Sequence, residues 1–159
     1  MKRLVLLSLV FLVSFTPKTA IDVIKWNDLE AIINKQDDKT YIINFWSTWC
    51  PPCIKEIPEF ERINTEFKDQ GVEVIFVSLD AKTTLESTLI PFVEKKKIKS
   101  RMVLLDEPDF NSWIPKVDKD WSGAIPTTLI INSSKKIKKL HEGTYTYQQL
   151  KEEIKHIQK

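Results

Sequence analysis

Cys50 and Cys53 are the only cysteines in the chain, and they stand three residues apart. An apolar, strand-like run precedes them and a helix-like run follows. A Cys-x-x-Cys pair at a strand-to-helix junction reads as a redox dithiol. The reason is electrostatic. A helix N-terminus presents free N–H groups and positive dipole, and both favour thiolate over thiol. Cys50 falls at that N-cap, so it is expected to be the more exposed thiol and the attacking nucleophile. Cys53 falls one turn in and more buried, placed to resolve a mixed disulfide by attacking Cys50. Pro51 and Pro52 lie between them. Neither has a backbone N–H, so only the Cys53 N–H, its thiol and the dipole remain to stabilise a Cys50 thiolate. A moderate lowering of the Cys50 pKa is the expected result. The competing reading is a structural disulfide. A bridge across so short a loop restrains little unfolded-chain entropy, so it makes a poor staple.

Further chemistry-bearing residues lie near the pair in sequence. Glu56 is three residues past Cys53, which puts it on the same helix as a proton acceptor or a carboxylate facing the substrate. Its bland alternative is a surface glutamate paired with Lys55 or Arg62. Trp49 abuts Cys50 and is expected to shield it and to offer an apolar docking surface; Trp46 reads as core. Pro51 and Pro52 face whatever approaches Cys50. His141 and His156 are isolated in sequence and read as surface residues, and two cysteines supply only half of a zinc shell.

The elements that must position these groups follow from periodicity. Residues 26–36 form a helix, with Trp26, Leu29, Ile32 and Ile33 on one face and Asn27 or Asp28 as its cap. Tyr41 to Trp46 is a strand with almost no polar alternation, as a centre strand covered on both faces requires. Residues 51–69 form the next helix, with Ile57, Phe60, Ile63 and Phe67 as its stripe. Pro51 suits its first turn, Pro58 removes a hydrogen bond inside it, and Gly71 ends the element. Val72 to Leu79 is a second buried strand, closed by Asp80. Residues 84–97 form a helix that Pro91 divides, and Met102 to Leu105 a short strand. Glu107 to Gly123 is a long connection with one helical turn around Phe110 to Ile114. Its Trp113 and Trp121 either line a partner groove or plug the loop locally. Thr127 to Ile131 and Lys136 to His141 form a hairpin, and Tyr147 to Ile157 a closing helix. Strands alternating with helices give an α/β fold with helices on both faces of the sheet.

The run Asn44-Phe45-Trp46-Ser47-Thr48-Trp49-Cys50-Pro51-Pro52-Cys53, with Glu56 and Pro58 after it, resembles the thioredoxin superfamily. Within it the pattern is similar to the exported TlpA/ResA-type thiol–disulfide oxidoreductases. The resemblance resumes at Ala124-Ile125-Pro126-Thr127-Thr128 and covers roughly residues 25 to 158. It implies a thioredoxin-like fold with a central mixed sheet, and it makes helix 84–97 and strand 102–105 an extra αβ insertion. It implies a cis peptide at Pro126 packed over the dithiol, with the Ile125 backbone free to pair with an extended substrate. The implied catalytic residues are Cys50, Cys53, Glu56 and Pro126; the substrate-facing ones are Trp49, Pro51, Pro52 and Ile125. Asn44 departs from thioredoxin itself, which has a buried aspartate at the matching position. Asn44 cannot ionise, so a proton shuttle must use Glu56 or water. Set on the family's scale, the Pro-Pro argument places the pair nearer thioredoxin (about −270 mV) than DsbA (about −120 mV). The implied activity is a protein-disulfide reductase without cofactor or metal. Its implied partners are exported cysteine-containing proteins, apocytochrome c among them, and a membrane thiol electron donor. A peroxidase, a copper(I) metallochaperone and a non-enzymatic binding module are the alternatives on the same residues. Thr48 sits two before Cys50 as in peroxidatic sites, but the upstream proline of those sites is missing.

The 159 residues suffice for one domain with a proper core. Lys2 and Arg3 precede an apolar run from Leu4 to Phe15, and small residues follow up to Ala20. This is the pattern of a signal peptide over residues 1–20, ahead of a single domain over 21–159. The expected location is therefore outside the cytoplasm, in the periplasm or at the envelope exterior. The formal charge of +2 belongs to that segment: without Lys2, Arg3 and Lys18 the chain holds 21 basic and 22 acidic residues, −1. Nucleic acid is thereby disfavoured as a partner, and a monomer is expected.

Overall fold

The apolar run before the cysteines is the centre strand of a six-stranded sheet, in a computed structural model that describes residues 20–159. In chain order the elements are β1 (Asp22–Ile24), α1 (Trp26–Ile33), β2 (Thr40–Trp46), α2 (Pro51–Phe67), β3 (Val72–Ser78) and α3 (Ile90–Lys96). Then come β4 (Arg101–Leu105), α4 (Phe110–Val117), β5 (Thr127–Asn132), β6 (Ile137–Glu142) and α5 (Tyr147–Gln158). The strand order is β1-β4-β3-β2-β5-β6. The first four strands of that order are parallel; β5 is antiparallel to β2, and β6 to β5. The result is the thioredoxin-like α/β fold, with helices on both faces. The α3–β4 unit is the extra insertion, and its strand sits between β3 and β1. Of the proposed signal segment only Ala20 is described; residues 1–19 lie outside the described residues.

Every residue of β2 is buried, which is why its sequence lacks polar alternation. The pleat still sorts its side chains. Ile43 and Phe45 enter the layer covered by α1 and α4, together with Leu29, Trp113 and Val117. Ile42 and Trp46 enter the layer covered by α2, α3 and α5, together with Phe60, Val93 and Leu150. Asn44 shares the parity of the second set, so a polar side chain points into the layer beneath α2. The stripe of α2 is as expected, with Ile57, Phe60, Ile63 and Phe67 buried. The helix continues through Pro58, whose ring is exposed. It ends at Phe67, two residues early, in a 3-10 turn over Lys68–Gln70 closed by Gly71 at φ 77°.

Three expectations need correction, and the division of 84–97 holds. β1 forms although its three residues carry no strand signal of their own; pairing with β4 creates it. α1 stops at Ile33, with Asn34 as its C-cap, and Asp28 holds its start by accepting from the Lys25 N–H at 3.0 Å. Residues 84–97 divide into a π-helical turn, Leu85–Leu89, and α3. Pro91, which cannot donate to the carbonyl four residues back, stands in the first turn of α3. The Glu107–Gly123 connection contains a full helix, α4, despite Pro115. Burial of Trp113 against Phe45, and of Val117 in the same layer, stabilises that helix.

Candidate active site

The strand β2 delivers the chain to a turn at Ser47–Trp49, and α2 begins straight after it. Asp80, at the end of β3, fixes this turn. Its carboxylate accepts from the Thr48 N–H at 3.0 Å, the Thr48 hydroxyl at 2.6 Å and the Ser78 hydroxyl at 2.7 Å. Asp80 is itself buried. Cys50 then stands at the N-cap of α2, bonded to Cys53 with the two Cα atoms 5.3 Å apart. The Cys53 N–H donates to the Cys50 sulfur at 3.3 Å. With Pro51 and Pro52 in the first turn, that donor is the one the sequence left available. Cys50 is the more exposed of the two, but narrowly: 4% against 0%. Pro51 and Pro52 are exposed beside it.

The Ile125–Pro126 bond is cis. Pro126 is buried and Ile125 half-buried, and the Ile125 carbonyl oxygen lies 3.9 Å from the Cys50 sulfur. The loop before β5 thus closes over the dithiol. Trp49 stands 65% exposed, while Trp46 is fully buried. Trp113 and Trp121 do not line a partner groove; both pack against Phe45 in the core.

Glu56 is not a surface residue. It is 3% exposed and faces the buried Asn44, with neither Lys55 nor Arg62 as partner. The Asn44 amide donates to Glu56 Oε1 at 2.9 Å, and the Tyr145 N–H donates to Oε2 at 2.8 Å. Asn44 Nδ2 also lies 3.1 Å from Thr128 Oγ1, its direct neighbour across the β2–β5 pair. Its own Oδ1 has no partner. Burial pushes the Glu56 carboxyl up to about 7, while the Tyr145 N–H and the Asn44 amide pull it back down. Cys53 and Glu56 are three apart on one buried helix face, which makes them neighbours. A carboxyl that titrates near neutrality beside a dithiol can take up and release the proton that thiolate chemistry moves.

Asp80, Thr128 and Tyr145 are residues that sequence reasoning missed. Their partners lie 32, 84 and 89 positions away, so no local pattern announces them. The two histidines, isolated in sequence, share one surface groove. It has a volume of about 520 Å³ and lies between β6 and α5, where the His141 ring lies 4.2 Å from that of Tyr145. Among the described residues no three His, Cys, Asp or Glu side chains gather as a metal site would require.

Known proteins resemble this chain. A protein named thiol-disulfide oxidoreductase ResA, from Halalkalibacterium halodurans, is 32% identical over 120 residues, covering 76% of this chain and 63% of the relative. The chain therefore spans under two thirds of that relative's length. A ResA from Geobacillus thermodenitrificans is 29% identical over 153 residues, covering 90% of this chain and 82% of the relative. The crystal structure of StoA from Bacillus subtilis superposes with a TM-score of 0.57 at 26% identity, covering 74% of this chain and 84% of that one. The sequence profile of the AhpC/TSA family matches residues 15–140, a span that holds both the cysteine turn and the Pro126 loop, and the chain belongs to that family.

Proposed function

We propose that the protein is a thiol–disulfide oxidoreductase that cycles Cys50 and Cys53 between dithiol and disulfide, and that it works as a reductant. The carrying observation is the Cys50 sulfur at the α2 N-cap, bonded to Cys53 and set against the Ile125 carbonyl. The Cys50 thiolate attacks one sulfur of a client disulfide. A Cys50–client disulfide forms, and the other client sulfur leaves as a thiolate. Cys53 then gives up its proton, attacks the Cys50 sulfur and releases the second client thiolate. Glu56 accepts the Cys53 proton and passes it to one departing client thiolate; the other thiolate takes from solvent the proton that Cys50 released in forming its own thiolate. Ile125 offers its backbone to the client, and Trp49, Pro51 and Pro52 form the surface it meets. Pro126 positions that loop.

The names of the relatives support this activity. Clients are exported cysteine-containing proteins, apocytochrome c among them, and a membrane thiol resupplies electrons. Residues 1–20 act as the export signal and residues 21–159 as the working domain, a monomer in the periplasm or at the envelope exterior. The peroxidase alternative is disfavoured by Thr48, whose hydroxyl is spent on Asp80 rather than offered beside Cys50.

The test is the reduction potential of the Cys50–Cys53 pair, read by equilibration in glutathione and dithiothreitol buffers. One backbone donor at the Cys50 sulfur predicts a value on the thioredoxin side, nearer about −270 mV than about −120 mV. That span is about 7 kcal/mol, enough to set the direction of electron flow. A potential near that of DsbA would make the protein a disulfide donor. A pair that never forms a reversible disulfide would end the oxidoreductase reading.

A further inference from the structure

Three large apolar side chains stand exposed among the described residues: Val23, Trp49 and Phe110. Two of them, Trp49 at 65% and Phe110 at 45%, line the same groove of about 490 Å³. Leu79, Ala81, Leu105 and Pro108 complete its apolar lining. The groove begins one residue from Cys50, because Trp49 is its wall. The backbone beside one ring and the other ring itself are held in place. Asp80 grips the backbone of Thr48 next to Trp49, and Phe110 packs on the buried Trp113 with ring centres 5.8 Å apart. The groove is therefore built in advance rather than formed by a mobile loop.

The charged groups around it are already engaged. Asp106 pairs with Lys25 at 3.1 Å and Lys82 at 3.5 Å. Glu107 accepts from the Trp26 N–H at 3.0 Å, and Asp80 holds the Ser47–Trp49 turn. What the groove offers a ligand is apolar surface. Its size fits a side chain or two. A stable dimer needs about 800 Å² from each partner, a flat area rather than a cleft. The chemistry of the dithiol supplies the occupant. Each turnover ties a polypeptide to Cys50 through a disulfide, so client residues beside the reacting cysteine must lie against Trp49.

We propose that this groove binds an aromatic or large aliphatic side chain of the client, close in sequence to the cysteine that Cys50 attacks. The groove thereby selects among disulfides by their neighbours. This rests on the oxidoreductase reading and adds a specificity determinant, Phe110, to it.

The test uses the full chain, reduced with dithiothreitol, and two disulfide-linked peptides that differ in one residue beside the attacked cysteine: Phe or Ser. Rate constants for exchange are measured with both peptides and with oxidised glutathione. The expected result is about tenfold faster exchange with the Phe peptide, equivalent to about 1.4 kcal/mol. Phe110→Ser should bring the ratio of the two rates to within about twofold, and Phe110→Leu should keep most of it. The ratio cancels any common effect of the substitution on the dithiol. Equal rates with the unaltered protein, or a tenfold ratio that survives Phe110→Ser, would overturn the groove while leaving the oxidoreductase reading intact. A concentration-dependent dimer in sedimentation that Phe110→Ser abolishes would overturn it in favour of a second copy as occupant. Failure to exchange with either peptide and with glutathione would remove the oxidoreductase reading and the proposal together.

Discussion

Glu56 lies between two donors, the Asn44 amide at 2.9 Å and the Tyr145 N–H at 2.8 Å, with only 3% of its surface exposed. Burial disfavours its charged form more than those two donors favour it, and the carboxyl titrates at about 7 rather than 4.5. This has a consequence for stability. Between pH 4.5 and 7 the unfolded chain has released the Glu56 proton and the folded protein still holds it. The folded state binds more protons, so stability falls as pH rises through that window. The fall from pH 5 to pH 8 is expected to be on the order of 2 kcal/mol. The lowered carboxyls, among them Asp37, Glu66 and Glu142, act in the opposite sense and below this window. Denaturant unfolding at pH 5, 6.5 and 8 measures the slope, and Glu56→Gln should flatten it. An unaltered protein whose stability is level or rising across that range would refute the assignment. Asn44 matters here because it presents only its donor to Glu56, and its buried Oδ1 has no partner. That orientation favours the carboxylate, the form that can accept the Cys53 proton.

At the scale of elements, the turn from β2 into α2 depends on a side chain from β3. Asp80 satisfies the Thr48 N–H and two hydroxyls, and all three would lose their partner in Asp80→Ala. A buried donor left without a partner costs about 1–3 kcal/mol. A stability loss of about 3 kcal/mol is therefore expected. Exchange with small disulfides should slow as well, because Trp49 and Cys50 lose their fixed backbone. A loss under about 0.5 kcal/mol by urea unfolding would show that the turn holds itself. The sequence suggested Asp80 only as the end of a strand. The elements legible beforehand were those with long internal patterns: the apolar run of β2 and the Ile57–Phe60–Ile63–Phe67 stripe of α2. β1 was illegible because three residues hold no period, and its pairing partner β4 lies about eighty residues away. α4 was obscured by Pro115 and by its length of only 8 residues; the contacts that fix it, Trp113 on Phe45, belong to the core. The same division runs through the site. Cys50, Cys53 and the Pro126 loop are written as contiguous motifs. The Asn44–Glu56–Tyr145 network exists only because β2, α2 and the approach to α5 meet.

For the whole molecule, the question is whether the Cys50–Cys53 bond holds the fold or merely rides on it. Apolar layers fill both faces of the sheet, one under α2, α3 and α5 and the other under α1 and α4. Phe60, Phe76 and Trp46 fill the first, Phe45 and Trp113 the second, and all five are fully buried. The disulfide closes a loop between residues only three apart. On the chain-entropy relation a loop that short contributes about 2 kcal/mol, near the bottom of what a disulfide can give. Both sulfurs are buried, so replacing them adds a smaller packing term. Cys50→Ala/Cys53→Ala is therefore expected to fold with an unchanged far-UV spectrum and an unchanged urea m-value. Its stability should fall by about 2–3 kcal/mol relative to the oxidised protein. The reduced unaltered protein should lie close to this variant, since it too lacks the crosslink. This is the property a redox carrier needs: a fold whose two faces are secured elsewhere can open and close the bond on every turnover without unfolding. Loss of the cooperative transition in the double variant would assign the bond to the fold. A reductant could not then spend it, and the structural reading of the pair would replace the catalytic one.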